Sequence, residues 1–238
     1  MNLSTTREGA VSLLELCRSE RRNALDLDLC DAIAESAAAE VAAGARVLVI
    51  TGQGTSFCSG ADLTGVYGDA FLNALYGMLH GLTRLPVPIV AAVNGPAIGA
   101  GTQLALACDL RVADSTATFA IPTARNAMAV DAWTIRALGT VAGGGIARRL
   151  MLAAESIDRD TALACGLADR PGTLEDALGW AHEIATLAPL TLAHNKLVLN
   201  GGADAAIAET FAACWASDDV REAASARTEK RTPVFTGR

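Results

Sequence analysis

The chain has 238 residues, a net charge of −7 and a 51% apolar composition in which aromatic residues contribute only 4%. The acidic charge argues against nucleic acid as the main partner, and no apolar run approaches the roughly 20 residues that a membrane-spanning helix needs. Six scattered cysteines without a CxxC pair, three histidines without metal-ligand spacing and a start without a signal-peptide pattern predict a cytoplasmic protein with neither disulfides nor a metal site.

The first part of the chain predicts a hairpin, a helix and a buried strand. Residues 2–7 and Val11–Leu16 flank a turn and are typical of paired strands. A polar loop at Arg18–Asn23 precedes a helix over 28–44, where apolar residues recur at helical spacing. The apolar run Arg46–Thr51 then predicts a second buried strand.

The middle of the chain alternates between helix and strand. Apolar residues at helical spacing predict a helix over Phe71–Leu82, and the run Ile89–Val93 predicts the next strand. A helix is expected over Gly99–Ala107, followed by short strands at Asp109–Ala113 and Thr118–Ile121. This alternation indicates an α/β core.

The last part of the chain predicts helices almost throughout. From Ala124 onward the pattern is nearly all helical, with Ser156 or Asp158 capping one helix and Thr173 another. The closest approach to a boundary lies near residues 169–172. We therefore expect a helical C-terminal region after the α/β core.

Two glycine-containing segments, each of which follows a strand, are the candidates for binding a carbonyl group. Gly52–Leu63 (the first junction) and Asn94–Gln103 (the second junction) each follow a short apolar strand, and each is expected to open a helix. Two such junctions can aim backbone N–H groups at one point, where they would polarise a carbonyl or hold a developing oxyanion. The alternative is that these glycines only permit close packing of strand and helix.

Five segments occur in a specific order and spacing: Arg21–Leu25, Gly60–Leu63, Ala92–Gly101, Ala107–Arg111 and Glu229–Phe235. Over nearly its whole length the chain resembles the crotonase superfamily of enoyl-CoA hydratases and isomerases. The resemblance implies an α/β fold built as a spiral of ββα units, with an acyl-CoA site in a core over 1–170. It further implies a helical oligomerisation region over 171–238 that assembles trimers, or hexamers as dimers of trimers.

The resemblance also assigns the thioester site. The backbone N–H groups of Ala61 and Ala100 would hold the thioester carbonyl, and the helix beginning near Ala100 adds positive potential there. No resident cofactor is expected, since coenzyme A enters as part of the ligand. Contacts to its nucleotide are implied for Arg22, Ala24, Asp62, Leu63 and Thr64.

Two positions depart from the family's hydratases, which carry a glutamate at each. Here they hold Gln103, after Gly101-Thr102, and Thr123, after Phe119-Ala120-Ile121-Pro122. Adding water to an enoyl double bond needs a base that activates the water and an acid that protonates Cα. Losing either group lowers the rate about 10²- to 10⁴-fold. A carboxamide and a threonine hydroxyl fill neither role, so ordinary hydratase turnover is not expected.

Asp131 is the remaining candidate acid or base. It lies eight residues after Thr123, and some dienoyl-CoA isomerases of the superfamily place a catalytic aspartate at that offset. Asp131 is also well suited to cap the helix that begins near Ala132, and we favour the cap. Trp133 would either wall an acyl pocket with Met128 and the Phe71–Leu82 helix or simply fill the core.

Two functions remain open. The first is a protein that binds and carries fatty acyl-CoA, presenting it to enzymes of fatty-acid synthesis or oxidation; the replaced glutamates and the Asp-x-Trp that follows resemble a non-catalytic mycobacterial branch of the family. The second is an enoyl-CoA isomerase or weak hydratase that uses Asp131. A hydrolase with Cys58 as nucleophile is a minor third possibility.

Overall fold

The computed structural model describes residues 2–62, 64 and 68–238. In these ranges the strands, in chain order, are β1 Leu3–Glu8, β2 Val11–Leu16, β3 Val47–Gly52, β4 Ile89–Val93, β5 Pro96–Ile98, β6 Leu110–Ala113, β7 Thr118–Ala120, β8 Ser156–Asp158 and β9 Arg170–Pro171. The helices are α1 Leu27–Ala42, α2 Asp69–Arg84, α3 Ala100–Ala107, α4 Ala132–Leu152, α5 Arg159–Cys165, α6 Leu174–Ala185, α7 Pro189–Leu199, α8 Asp204–Ala216 and α9 Asp218–Glu229. Short 3-10 helices cover Ser19–Arg21 and Thr123–Asn126.

The strands form two sheets. The larger has the order β1-β2-β3-β4-β6-β9, and all its pairs are parallel except the β1–β2 hairpin. Every residue of β3 and β4 is buried, as expected for central parallel strands covered on both faces. The smaller sheet has the order β5-β7-β8, and its strand β5 belongs to the second junction.

Side-chain caps set where several helices begin. The carboxylate of Asp26 accepts from the Leu29 N–H at 2.8 Å at the start of α1, and that of Asp158 accepts from the Thr161 N–H at 2.9 Å at the start of α5. Helix α4 is kinked at Gly143, whose φ of 79° interrupts the helical backbone. In the part of the chain that is described, no helix combines the length and hydropathy needed to cross a membrane.

The C-terminal helices are attached to the core by apolar and ionic contacts. Helix α6 lays its buried face, including Ala177 and Ala181, on the larger sheet. Helix α7 carries Lys196, which is 5% exposed and whose ammonium lies 2.7 Å from the Asp109 carboxylate. The same ammonium donates to the carbonyls of Leu82 and Val87, so α7 is fixed to the connection between α2 and β4.

The predicted elements are confirmed for the hairpin, the central strands, α1, α2 and α3, with ends shifted by one or two residues. The expectation of a nearly all-helical pattern after Ala124 is confirmed by α4 to α9, and in the described residues the short strands β8 and β9 interrupt it. These strands of three and two residues are too short to show periodicity, and only pairing with β7 and β6 defines them. The division at residue 170 stays a prediction.

Candidate functional site

The two glycine junctions lie side by side because they pair with each other. Cys58 of the first junction donates its N–H to Pro96 O at 3.1 Å and accepts from the Ile98 N–H at 2.9 Å. Gly101 packs directly against the Cys58 carbonyl, and a Cβ atom there would overlap that oxygen. The glycine therefore lets the start of α3 approach the first junction.

The first junction does not open a helix directly, which corrects the sequence-based expectation. Ala61 instead forms an isolated parallel bridge with Leu25, and the next helix begins only at Asp69. Long-range pairing with the segment before α1 decides this conformation, and local sequence does not encode that partner. The second junction does open a helix, since α3 starts at Ala100.

Among the described residues, the backbone N–H groups of Ala61 and Ala100 have no hydrogen-bond acceptor. The bridge to Leu25 uses Gly60 O and Asp62 N, at 2.8 and 2.7 Å, so the N–H of Ala61 points to the other side. Ala100 is the first residue of α3, and a helix leaves its first N–H groups without internal acceptors. Its position also places the positive end of the helix dipole beside the site.

Both alanines line one cavity of about 150 Å³, here called the central cavity. Its other walls come from α2, the 3-10 helix at Thr123 and the segment before α4. The cavity brings together five of the predicted site residues: Ala61, Ala100, Gln103, Thr123 and Met128. The remaining described lining consists of Ser59, Gly60, Phe71, Leu72, Leu75, Tyr76, Ile98, Gly99, Pro122, Asn126, Ala129 and Val130.

No acidic or basic side chain occurs among the described residues that line the central cavity. Gln103 is only 2% exposed and lies one helical turn beyond Ala100. Thr123 begins the 3-10 helix on the opposite wall. The polar side chains of the described lining are therefore the amides of Gln103 and Asn126 and the hydroxyls of Ser59, Tyr76 and Thr123, with no carboxylate among them.

Asp131 caps α4, as the sequence favoured. Its Oδ1 accepts from the Thr134 N–H at 3.0 Å and from the Thr134 hydroxyl at 2.6 Å, while its Oδ2 lies 2.9 Å from His80 Nε2. Burial raises the pKa of Asp131, but the hydrogen bonds from Thr134 and His80 together outweigh it and leave the pKa below its ordinary value. Asp131 is not among the described residues of the central cavity.

Trp133 faces a different cavity. Its indole lies 5.4 Å from the His80 ring, centroid to centroid, and both line a space of about 640 Å³ between α2, α4 and α7, here called the lateral cavity. Met128 lines the central cavity, so the structure does not bring Trp133 and Met128 together in one pocket.

The predicted nucleotide contacts divide into two groups. Asp62 and Thr64 line a third space of about 480 Å³, the outer cavity, together with Arg18 and Arg21. Hydrogen bonds from Thr64, and then from Arg18, hold the pKa of Asp62 below its ordinary value. Phe71 borders both the outer and the central cavity, which places the two next to each other.

The other predicted contacts do not line the outer cavity. Arg22 is exposed and has a left-handed backbone, with φ of 51°. Ala24 is buried, and its carbonyl accepts from the Arg18 guanidinium. Leu63 lies outside the described residues.

Sequence reasoning missed His80, Thr134 and Tyr76. Gln103 Nε2 donates to the Thr134 hydroxyl at 2.8 Å, and Tyr76 OH accepts from the Asp131 N–H at 3.2 Å. The spacing Asp131-x-x-Thr134 signals a capping pair, whereas nothing in the sequence indicates that α2 places His80 beside it.

Cys58 has no role as a nucleophile in this geometry. The residue is fully buried, and burial raises the pKa of its thiol to about 12. Among the residues described, no three histidine, cysteine or acidic side chains cluster as metal ligands would.

A family model for enoyl-CoA hydratase/isomerase matches residues 6–238. Proteins named probable enoyl-CoA hydratase echA6 from Mycobacterium tuberculosis and Mycobacterium leprae are 46% and 44% identical, with 99% of this chain and 99% of each relative covered. The solved enoyl-CoA hydratase of Bacillus anthracis has a TM-score of 0.91 at 27% identity, covering 100% of both chains. The paired junctions, the sheet order and these similarities together show that the chain belongs to the enoyl-CoA hydratase/isomerase family, the crotonase superfamily.

Proposed function

We propose that this chain binds fatty acyl-CoA thioesters without hydrating them. The thioester carbonyl accepts hydrogen bonds from the N–H groups of Ala61 and Ala100, and the acyl chain enters the central cavity. The observation that carries the proposal is the meeting of two backbone N–H groups, 39 residues apart in sequence, at a cavity whose described lining has no carboxyl group and no charged side chain. Family membership alone would leave the activity open, because it is the site that determines the chemistry.

The absence of hydration follows from Gln103 and Thr123. Hydration requires one group that activates water and another that protonates Cα, each worth about 10²–10⁴ in rate. Both residues line the cavity, so they occupy places from which a carboxylate would reach the ligand. Replacing both carriers removes the contribution of acid–base catalysis to the acceleration that a hydratase provides.

The alternative is an isomerase or weak hydratase that uses Asp131. Both oxygens of this carboxylate are occupied, by Thr134 and by His80, and its pKa is lowered rather than raised. A general acid or base at neutral pH needs the opposite shift. These contacts support the binder over the Asp131 enzyme.

The coenzyme A nucleotide is assigned to the outer cavity. Arg18 is paired there with Asp26 and Asp62, so Arg21 is the cation of the described lining that would meet a phosphate. Phe71 lies between this space and the central cavity, so one ligand can fill both.

We further propose that the protein acts in the cytoplasm as a homotrimer or hexamer beside enzymes of fatty-acid synthesis or oxidation. Helices α7 and α8 expose large apolar side chains, with Leu199 85%, Phe211 55% and Trp215 68% exposed. Such a patch is typical of an interface. Light scattering coupled to size-exclusion chromatography measures the assembly directly, and a monomer would refute the oligomer.

The central test combines binding with turnover. Saturated long-chain acyl-CoA is titrated by calorimetry, and crotonyl-CoA hydration and Δ3–Δ2 isomerisation are then assayed. We expect binding without turnover. Failure to bind any CoA ester would refute the proposal, and isomerisation abolished by Asp131→Asn would establish the alternative.

A backbone substitution tests the carbonyl contact. Replacing Ala100 by its α-hydroxy acid, L-lactate, removes one N–H at the first position of α3 without adding a ring, and should weaken thioester binding about 2- to 10-fold. The matched control is the same replacement at Ala132, the exposed first position of α4. Equal losses in both variants would contradict the assignment of the Ala100 N–H to the ligand.

A further inference from the structure

The lateral cavity has basic side chains and no acidic ones in its described lining. Its volume of about 640 Å³ lies in the range of sites that hold small organic ligands, about 300–1,000 Å³. The lining side chains that can carry positive charge are His80, Arg84 and Lys196, and no aspartate or glutamate occurs among the described lining residues. In a chain whose net charge is −7, this cavity therefore favours an anion.

Lys196 is not available to such an anion. Its ammonium has three N–H donors and lies within hydrogen-bond distance of three acceptors, the carbonyls of Leu82 and Val87 and the carboxylate of Asp109. Arg84 is exposed in the last turn of α2 and makes no ion pair or side-chain hydrogen bond within the described residues. Of the described lining, the Arg84 guanidinium is the cation that remains for a ligand.

His80 adds a second hydrogen-bonding group beside Arg84. The two residues are four apart in α2 and therefore share one face of the helix. Because the Asp131 carboxylate only accepts, the His80 Nε2 atom, 2.9 Å away, carries a proton and donates it. The other ring nitrogen, Nδ1, has no partner in the described part of the chain, and in the charged imidazole it also donates. A carboxylate placed between His80 and Arg84 would meet donors from both.

The rest of the described lining is mostly apolar. Trp133, Leu85 and Leu197 contribute its large apolar side chains. The two lining hydroxyls, of Thr83 and Thr210, donate to backbone carbonyls of their own helices. A ligand with an apolar body can thus fill the cavity while its charged end stays at the exposed guanidinium, where it loses little of its hydration.

The lateral cavity is separate from the central cavity. No described residue lines both. Tyr76 lines the central cavity and His80, one turn later in α2, lines the lateral one, with their ring centroids 6.3 Å apart. Both side chains are held at Asp131, whose N–H donates to the Tyr76 hydroxyl at 3.2 Å and whose carboxylate accepts from His80. This wall divides the lateral cavity from the proposed thioester site.

We propose that the lateral cavity is a second ligand site, for a carboxylate with an apolar body such as a medium-chain fatty acid. The carboxylate pairs with Arg84 and His80, and the chain lies against Trp133 and Leu197. This site goes beyond the proposed function, because its ligand is not a thioester and binds while the central cavity is filled.

Calorimetry with decanoate tests the site directly. In the presence of saturating long-chain acyl-CoA, decanoate should bind saturably, at one molecule per chain. Decyltrimethylammonium has the same chain length and the opposite charge, and it should bind at least about tenfold more weakly. Absence of decanoate binding, or equal binding of the cation, would overturn the proposal.

Competition separates the lateral site from the thioester site. Displacement of decanoate by acyl-CoA would also overturn the proposal, because decanoate would then occupy the central cavity or the acyl chain would itself fill the lateral one. If no CoA ester binds, the proposed function fails, and the titration of decanoate alone, with the variants below, still decides the lateral site.

Two variants locate the carboxylate and the chain. Arg84→Gln removes the exposed cation and should weaken decanoate binding about 2- to 10-fold. Its matched control is Arg148→Gln, an exposed arginine of α4 outside the described lining, and equal losses in both would contradict the role given to Arg84. Ala193→Phe places a ring in the cavity and should abolish decanoate binding with acyl-CoA affinity unchanged. Full decanoate binding in folded Ala193→Phe would overturn the site, and the Arg84 pair decides it if that variant does not fold.

Discussion

Replacing Gln103 by glutamate changes which groups donate and which accept the hydrogen bonds beside the central cavity. In the native chain the amide donates to Thr134, whose hydroxyl donates to Asp131. In Gln103→Glu the ionised carboxylate only accepts, so two carboxylates compete for the single proton of Thr134. One of them is left without that donor in a site where residue 103 is 2% exposed.

The stability cost depends on pH. Burial and the nearby Asp131 charge raise the pKa of the introduced carboxyl in the folded state above its value of about 4.3 in the unfolded chain. The unfolded state therefore loses its proton first, and stability relative to the parent falls as pH rises above about 4.3 through the raised pKa. Leaving one buried carboxylate unsatisfied costs about 1–3 kcal/mol, or about 2–12 °C in the unfolding midpoint of a chain this size.

Catalysis is the second readout. Combining Gln103→Glu with Thr123→Glu places two carboxyls at the central cavity, and hydration of crotonyl-CoA should rise by at least about 10² over the parent. Loss of the ultraviolet absorbance of the conjugated thioester measures hydration, and thermal unfolding across a pH series measures stability. The two single variants and the uncharged Gln103→Met are the controls.

Two outcomes would refute this reasoning. A folded double variant that binds CoA esters but hydrates no faster than the parent would show that more than proton carriers is missing. A difference in unfolding midpoint between Gln103→Glu and Gln103→Met that does not grow with pH would contradict the competition for the Thr134 proton.

Asp131→Asn should reduce stability at neutral pH by about 1 kcal/mol relative to the parent. This difference should disappear as pH falls from about 4 through the lowered pKa of Asp131, because the carboxylate stabilises the fold only while it is ionised. Chemical denaturation across a pH series measures the difference, and a constant value would contradict the prediction. Lys196→Met leaves the partly buried Asp109 carboxylate, 23% exposed, without its cation and should lower the thermal midpoint by about 2–12 °C. Adding Asp109→Asn should restore part of the loss, and an unchanged midpoint in Lys196→Met would contradict a stabilising ion pair. Gly101→Ala forces α3 away from the first junction and should weaken thioester binding and lower the free energy of unfolding by about 1–3 kcal/mol. The control Gly139→Ala has open space at its Cβ and should change neither quantity. Calorimetry measures binding and denaturation measures stability in both variants.

Local patterns predicted much of the fold. The β-branched runs of β3 and β4 and the apolar spacing in α1 and α2 need only short-range information, and their elements lie where the sequence places them. Strands β8 and β9 escaped prediction because pairing with a distant strand, and not periodicity, defines them.

Five predicted site residues share one cavity because glycine spacing brings both junctions to the same point. Trp133 lies elsewhere, because its indole packs beside the His80 ring of α2, a contact between distant residues that no local motif reports. The hydrogen bond from His80 to the cap of α4 escaped prediction for the same reason.

The sequence by itself determined which groups are present: two glycine junctions able to offer N–H donors, and an amide and a hydroxyl where the family's hydratases have glutamates. The tertiary structure alone decided how these groups point. The end of Gln103 that faces the ligand depends on Thr134 and Asp131, contributed by another helix and its cap. The type of each residue determines which functional group it has. The direction in which that group makes a hydrogen bond depends on a partner that is far away in the chain.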